Sequence, residues 1–413
     1  MVNNAEQLSE RAAHLDAVDP LARFRDRFVI KDSLIYLDGN SLGRLPKETA
    51  VRIHEVVETE WAEQLVLGWD SWLDSGTRIG DLLAPLMGAD AGEVAVADQT
   101  SVNLYKLASA ALAVGGRRNI LTDSGNFPSD RYILGSIAEA AGGTLVVVPE
   151  DPSPADLDAA LDATIGVVSL SHVSYRSGSM VDGAVVTNLV QRHGALMLWD
   201  LAHSVGAVPV DLASWNADLA VGCTYKYLNS GPGAPGFLYV RRDLQTELEQ
   251  PITGWFGHAD QFGFARDWDP APDIRRFLVG TPPIISMKGV EVGVNLTAEA
   301  GIDAIRAKSI ELSSLFIDAL KPTLDLGVEI ITPTDPNIRG SHVTIRHSKG
   351  FQVASALRQR GVIPDFRSPD LIRFGFAPMY TSYDETLEAA SILTKILHTR
   401  SYEKFPETRS GVT

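Results

Sequence analysis

The chain is short of cysteine, of positive charge and of long apolar runs. Cys223 is its one cysteine. No internal disulfide or cysteine metal cage can therefore form, and a reducing cytoplasm is the expected setting. Lysine and arginine number 36 against 52 aspartates and glutamates, a formal net charge of −16. Such a surface repels phosphate backbones and anionic lipid, so neither nucleic acid nor a membrane is expected as a partner. No apolar run approaches the ~20 residues that cross a bilayer. The opening MVNNAEQLSERAAHLDAVDP lacks the basic head and apolar stretch of a secretion signal, and a soluble intracellular protein is expected. The nine histidines show no HExxH or comparable spacing, so no metal is predicted. Repeats and low-complexity tracts are missing too.

What is present is ordinary globular composition, 45% hydrophobic and 21% charged over 413 residues, long enough for two or so packed domains. The first forty residues read as a helix and then an extended arm, ending in the turn-rich LDGNSLG at 37–43. From about 46 to 87 the apolar spacing is helical, with Trp61, Leu65 and Trp69 at four-residue steps. Short apolar runs then follow at 94–97, 119–122, 144–148, 166–170, 195–199, 219–222 and 236–240. Helical stretches at 102–114, 129–141, 156–163 and 181–193 lie between them. Strands apolar on both faces and separated by helices predict a mostly parallel α/β sheet. The short return into 236–240 allows one antiparallel strand. A long helix over 287–320 is predicted next. Strands at 328–332, 342–346 and 371–375 and helices at 351–361 and 384–398 fit a smaller C-terminal α/β domain. The division expected is an N-terminal arm at 1–45, a large domain at 46–285 and a small domain at 286–413, against which the N-terminal segment can pack.

Ligands of open α/β sheets bind at the carboxyl ends of the strands, so the reactive side chains just past each strand are the candidates. Asp200 ends the strand ALMLW. A carboxylate there can pair with a pyridine N–H and keep a pyridoxal phosphate ring an electron sink, with His203 stacking on the ring or supporting the acid. Lys226 follows the next strand in CTYKYL and precedes the glycine-rich turn NSGPG, a confined place for a Schiff-base lysine. Thr100 and Ser101 open a helix, where backbone N–H groups favour a phosphate. Phe127, in NFPSD, can cover one face of a flat ring. Arg373 sits in an otherwise apolar strand, where its planar fork suits a carboxylate. Each residue has an ordinary alternative: a turn cap for Asp200, a surface lysine for Lys226, a helix cap for Thr100 and Ser101, a helix start for Phe127-Pro128, a salt bridge for Arg373. Asp and Lys on successive strands, with His and Tyr beside them, favour the pyridoxal phosphate reading.

The motifs LDGNSLG at 37, NFPSD at 126, WDLAHSVGAVPVDL at 199, GCTYKYLNSGPG at 222, GWFGH at 254, GTPPI at 280 and RFGFAPMYTS at 373 run in order through almost the whole chain. In them the sequence resembles the kynureninases, most strongly the bacterial branch. The resemblance implies a homodimeric pyridoxal phosphate enzyme of fold type I, the aspartate aminotransferase superfamily. It also implies hydrolysis of L-kynurenine to anthranilate and L-alanine in tryptophan degradation. Lys226 would bind the cofactor covalently and Asp200 would pair with its ring nitrogen. Phe127 would stack on the ring, with His203, Asp130 and Ser171 nearby. Thr100, Ser101, Tyr225, Trp255 and Thr281 would surround the phosphate and cofactor, some of them from the second subunit. Tyr225 is the candidate acid for the β-carbon. Arg373 would hold the substrate carboxylate, with Ser41 and Trp69 also toward the substrate. Trp69 and Thr281 stand where relatives that prefer 3-hydroxykynurenine carry His and Asn, which implies a preference for L-kynurenine. The alternatives are a relative acting on a ring-substituted kynurenine, another type I enzyme such as a class V aminotransferase or a cysteine desulfurase-like lyase, and a catalytically silent binding protein.

Overall fold

A computed structural model describes residues 2–407. Seven strands form the large sheet: β1 (Val94–Val96), β2 (Asn119–Asp123), β3 (Leu145–Val148), β4 (Ile165–Ser171), β5 (Leu196–Asp200), β6 (Leu219–Gly222) and β7 (Phe237–Val240). Their order across the sheet is β1-β7-β6-β5-β4-β2-β3. The pairs from β6 to β3 are parallel, and β7 is antiparallel to both of its neighbours, as its short connection suggested. The apolar runs are continuous because the sheet is buried on both faces, and side chains alternate between them. Val168, Leu170, Met197, Trp199 and Ala220 enter one core, while Val167, Leu198, Leu219 and Val221 enter the other. Each fully buried Leu, Ile or Val contributes about 1.5–3 kcal/mol relative to exposure.

Four helices, Thr100–Ala113, Pro128–Ala140, Pro154–Ala160 and Gly183–Arg192, lie between these strands. Two of their starts are capped locally: Ser153 and Asp156 form a capping box, and Asp182 accepts from Val185 N–H. A smaller antiparallel sheet holds β8 (Glu329–Ile330), β9 (His342–Arg346), β10 (Asp365–Arg367) and β11 (Leu371–Gly375), in the order β10-β11-β9-β8. The helices Ile302–Leu320, Gly350–Gln359 and Tyr383–His398 share its core, and Ala12 of the N-terminal helix Val2–Ala17 enters the same core. The arm then pairs Ile35–Tyr36 in parallel with Val362–Ile363. Leu37 O accepts from Gly375 N–H at 2.7 Å, which fixes the LDGNSLG turn beside β11.

Two predicted helices are broken. The stretch 287–320 is two helices, Ile284–Ala300 and Ile302–Leu320. Gly301 between them has φ +78°, a conformation that ends the first helix and that a side chain resists. The region 46–87 is a chain of short pieces, including a π-turn over Val56–Trp61 and a left-handed Leu65 at φ +53°. Trp61 and Leu65 are more than half exposed, so the Trp61–Leu65–Trp69 stripe is not one buried helix face. Among the described residues no helix is long and apolar enough to cross a membrane.

Candidate active site

The carboxyl ends of β4, β5 and β6 lie side by side, with Ser171 in register with Asp200 and Asp200 with Val221. Parallel pairing thus puts the last residue of each strand at one edge, where the following loops open. A cavity of about 180 Å³ sits there, lined by Asn40, Ser41, Thr100, Ser101, Phe127, Asp130, Tyr175, Asp200, Ala202, His203, Tyr225, Lys226, Arg367 and Arg373.

Asp200 is buried and held at both oxygens. Oδ1 accepts from Ala202 N–H at 2.9 Å, and Oδ2 lies 3.1 Å from Ser171 Oγ. Burial raises its pKa, while the Lys226 charge and these hydrogen bonds oppose the rise. Asp130, in the first turn of Pro128–Ala140, is also buried, and its Oδ2 has no hydrogen-bond partner. Burial and then the Asp200 charge push its pKa well up. His203 Nδ1 is likewise unpartnered. Burial, then Lys226 and His342, push that imidazole well down, so it is neutral. Asp130 and His203 both line the cavity, so these two unpartnered atoms are available to a ligand there.

Lys226 lies beyond β6 with its Nζ 6.0 Å from the centre of the Tyr225 ring. The neighbouring Cys223 and burial raise the Tyr225 pKa, which keeps the phenol protonated. The LDGNSLG turn presses on this loop, since Gly43 N–H donates to Tyr225 O at 2.8 Å. A Cβ at Gly43 would meet Lys226 O at 2.5 Å, so only glycine allows that approach. Thr100 and Ser101, which also line the cavity, open their helix, and Gln99 before them makes no side-chain capping hydrogen bond. Helix-start N–H groups that lack a cap are ready donors to an anion. Phe127 is 37% exposed although apolar, and its ring meets Tyr175 edge-on at 5.1 Å.

Arg373 lies within β11, directly across from Asp365 on β10. Its Nε donates to Asp365 Oδ2 at 2.7 Å, Nη1 to Tyr175 O at 2.6 Å and Nη2 to Ser41 Oγ at 3.1 Å, and Nη2 also pairs with Asp365. Both charges of the Arg373–Asp365 pair are buried. Asp38 lies in the same cluster, pushed up to about 6 by burial and by Asp365.

Ser171 acts on the site through Asp200. Trp69, Trp255 and Thr281 do not line the cavity of the single chain. Trp69 packs edge-on against Trp72 at 5.6 Å and borders the large-sheet core. Trp255 is 41% exposed and stacks with Phe264. Thr281 lines a separate cleft with Leu73, Gly76 and Phe256. Tyr175, Arg367 and Asp365 were not anticipated. The one sequence signal for Asp365 and Arg367 is the charged alternation of DFR just before Arg373, which Ser368-Pro369 disguises as a turn.

A sequence profile of the kynureninase C-terminal domain matches residues 305–393. The chain is 45% identical over 416 residues to the kynureninase of Burkholderia pseudomallei (strain K96243), covering 98% of this chain and 99% of that one. It is 44% identical over 398 residues to the kynureninase of Pseudomonas fluorescens, covering 94% and 95%. Among solved structures it is similar to the apo cysteine desulfurase of Thermococcus onnurineus NA1, with a TM-score of 0.79 and 19% identity over 92% of this chain and 98% of that one. The cysteine desulfurase CsdA of Escherichia coli gives 0.80 and 16% over 94% and 100%. The structural likeness is one of fold, whereas the relatives match along nearly the whole length: the chain belongs to the kynureninase family.

Proposed function

We propose that this protein is a kynureninase, hydrolysing the β–γ carbon–carbon bond of L-kynurenine to anthranilate and L-alanine with pyridoxal phosphate as cofactor. The observation that carries the reading is the gathering of Lys226, Asp200, Tyr225, Phe127, Thr100 and Arg373 around one cavity. The residues fit the cofactor. The helix start at Thr100 and Ser101 suits its phosphate, Phe127 its ring face and Asp200 its ring nitrogen, and Asp130 Oδ2 and His203 Nδ1 offer unpartnered polar atoms beside it. Pyridoxal phosphate, when bound, supplies the electron sink for breaking bonds at the substrate's α-carbon and β-carbon. Asp200 would keep the ring nitrogen protonated. Lys226 would hold the cofactor, and its free amine would take the α-proton. Arg373 and Ser41 orient the α-carboxylate. Water would add to the γ-carbonyl carbon and the β–γ bond would break, with the Tyr225 phenol as the acid that returns a proton to the β-carbon.

The single cysteine does not suit a desulfurase, which needs a mobile nucleophile. Cys223 is buried just beyond β6, with its thiol 3.7 Å from Ala202 O. The deciding experiment incubates the purified protein with pyridoxal phosphate and L-kynurenine. Anthranilate and alanine in equal amounts support the reading, and a new 2-oxo acid overturns it.

The working form in this reading is a cytoplasmic homodimer. Val51 and Trp61 are exposed, and Leu65, Val66 and Leu67 form an exposed apolar run of the kind that a partner subunit covers. Trp69, Trp255 and Thr281 then serve the partner's cavity. A fully active monomer in sedimentation would refute this. The same assignment makes the enzyme prefer L-kynurenine to 3-hydroxykynurenine, because an indole at 69 offers the extra hydroxyl a poor partner, at about 1–3 kcal/mol. The ratio of kcat/KM for the two substrates, in wild type and in Trp69→His with Thr281→Asn, is the check. An unchanged ratio in the double variant counts against it. In the same reading, the chain divides into the arm 1–45, the large domain 46–285 and the small domain 286–413.

A further inference from the structure

Arg373 is already engaged by the protein at every nitrogen. A guanidinium has five N–H bonds. On Arg373, Nε donates to Asp365, Nη1 to Tyr175 O and Nη2 to Ser41, and Nη2 is also ion-paired with Asp365. Two N–H bonds remain, one on each terminal nitrogen, and the Nη2 one is drawn toward Asp365. A carboxylate that is to be held firmly is better served where a second cationic donor stands nearby.

The strand beside it carries one. In β10, Asp365 and Arg367 are two residues apart and so share a face, while Phe366 between them is turned into the small-domain core. Asp365 is the cross-strand partner of Arg373. Arg367 is therefore set on the same side as the Asp365–Arg373 pair, and it lines the cavity. Its Nε lies 2.8 Å from Asp365 Oδ2, the oxygen that Arg373 also uses, as an ion pair without a hydrogen bond. Its side chain is 35% exposed against 1% for Arg373, so the free end stands where a ligand enters. Asp365 thus holds one guanidinium by a hydrogen bond and attracts a second by its charge, and the second is open to the cavity.

We propose that Arg367 is the second arm of the carboxylate site, binding the α-carboxylate of the amino-acid substrate together with Arg373. The inference rests on the kynureninase reading for its substrate, although its chemistry applies to any α-amino acid. The selectivity that follows is for an amino acid with a free α-carboxylate over its decarboxylated amine.

The test uses the holoenzyme and the variants Arg367→Gln and Arg367→Lys. L-alanine, which retains the α-carboxylate, is the binding probe, titrated by calorimetry. In Arg367→Gln its Kd, and the KM for L-kynurenine, should rise about 10- to 100-fold, as for a lost hydrogen bond to a charged group. The kcat should change much less, because the contact is made in ground and transition states alike. Arg367→Lys should recover part of the affinity. For the decarboxylated analogue of kynurenine, wild type and Arg367→Gln should bind equally. In an Arg373→Ala background, Arg367→Gln should weaken L-alanine binding further. An unchanged Kd in Arg367→Gln, an equal loss with the decarboxylated analogue, or no further loss in the Arg373→Ala background each overturns the proposal. The last result would reduce Arg367 to a positioning residue for Arg373. If wild type binds L-alanine but releases no anthranilate from kynurenine, the functional reading fails, and the alanine series still decides Arg367.

Discussion

Replacing Asp365 by alanine removes the one carboxylate shared by two arginines. Asp365 and Arg373 have side-chain exposures of 2% and 1%, so the guanidinium left behind cannot recover its lost partner from water. Breaking a buried pair from one side costs about 3–5 kcal/mol. Arg367 adds little to this figure, because its end is a third exposed and water screens it. Arg373 keeps Tyr175 O and Ser41 Oγ as acceptors, which places the expected loss toward the lower end of the range. Asp365→Asn keeps one carbonyl acceptor and should lose about 1–3 kcal/mol. The assay is urea unfolding of the cofactor-free protein at fixed concentration, since ligand binding and subunit association both shift apparent stability. The midpoint should fall with the slope unchanged. A buried pair can be replaced more safely than halved. The double variant Asp365→Leu with Arg373→Met should therefore regain most of the stability while losing carboxylate binding. A loss below about 1 kcal/mol in Asp365→Ala would refute the argument. So would a double variant as unstable as the single one.

Lys226→Ala should abolish turnover, and intact mass after borohydride reduction should show a cofactor adduct on the wild type only. A persisting adduct on the variant would move the covalent site elsewhere. Asp200→Asn should fold but lose at least ~10²-fold in rate, because a neutral amide cannot keep the ring nitrogen protonated, and near wild-type turnover would reject that role. Asp123, at the end of β2, is pushed up to about 6 by burial, with Asp151 and Glu150 adding to the rise. Its folded pKa lies above the unfolded value, so the folded state holds the extra proton between about pH 4 and 6, and stability falls as pH rises through that window. Asp123→Asn should thus be more stable than wild type above pH 6, by up to about 3 kcal/mol, with the gain gone below about pH 4. Melts across pH that show a constant difference would contradict this.

The parallel sheet and its edge were legible because burial on both faces leaves continuous apolar runs, and the reactive residues stand where those runs stop. Asp200, the last residue of β5, and Lys226, just past β6, were found that way. Arg373 stood out as a charge inside an apolar strand. Its partner did not, because β10 is three residues long, two of them charged. Such a strand has no hydropathy pattern, and it exists because pairing with β11 satisfies its backbone and its charges together. Tyr175 was hidden for a different reason. It acts on Arg373 through its main-chain carbonyl, which every residue has, so no side-chain type announces the role.

The stripe Trp61, Leu65, Trp69 shows the limit of periodicity in another way. Apolar residues at four-residue steps signal a surface that must be covered, and they do not say by what. In the single chain only Trp69 has found cover, against Trp72, while Trp61 and Leu65 stand in water beside Val66 and Leu67. The backbone there departs from a regular helix through a π-turn and a left-handed leucine, so the segment is not shaped to lay that face on its own core. A monomer would leave these large side chains uncovered, at roughly 25 cal/mol for each Å² of apolar surface left in water. In the proposed homodimer a second subunit laid on these residues would recover that energy, and Trp255 and Thr281, which lie outside the cavity of their own chain, would serve the site of their neighbour.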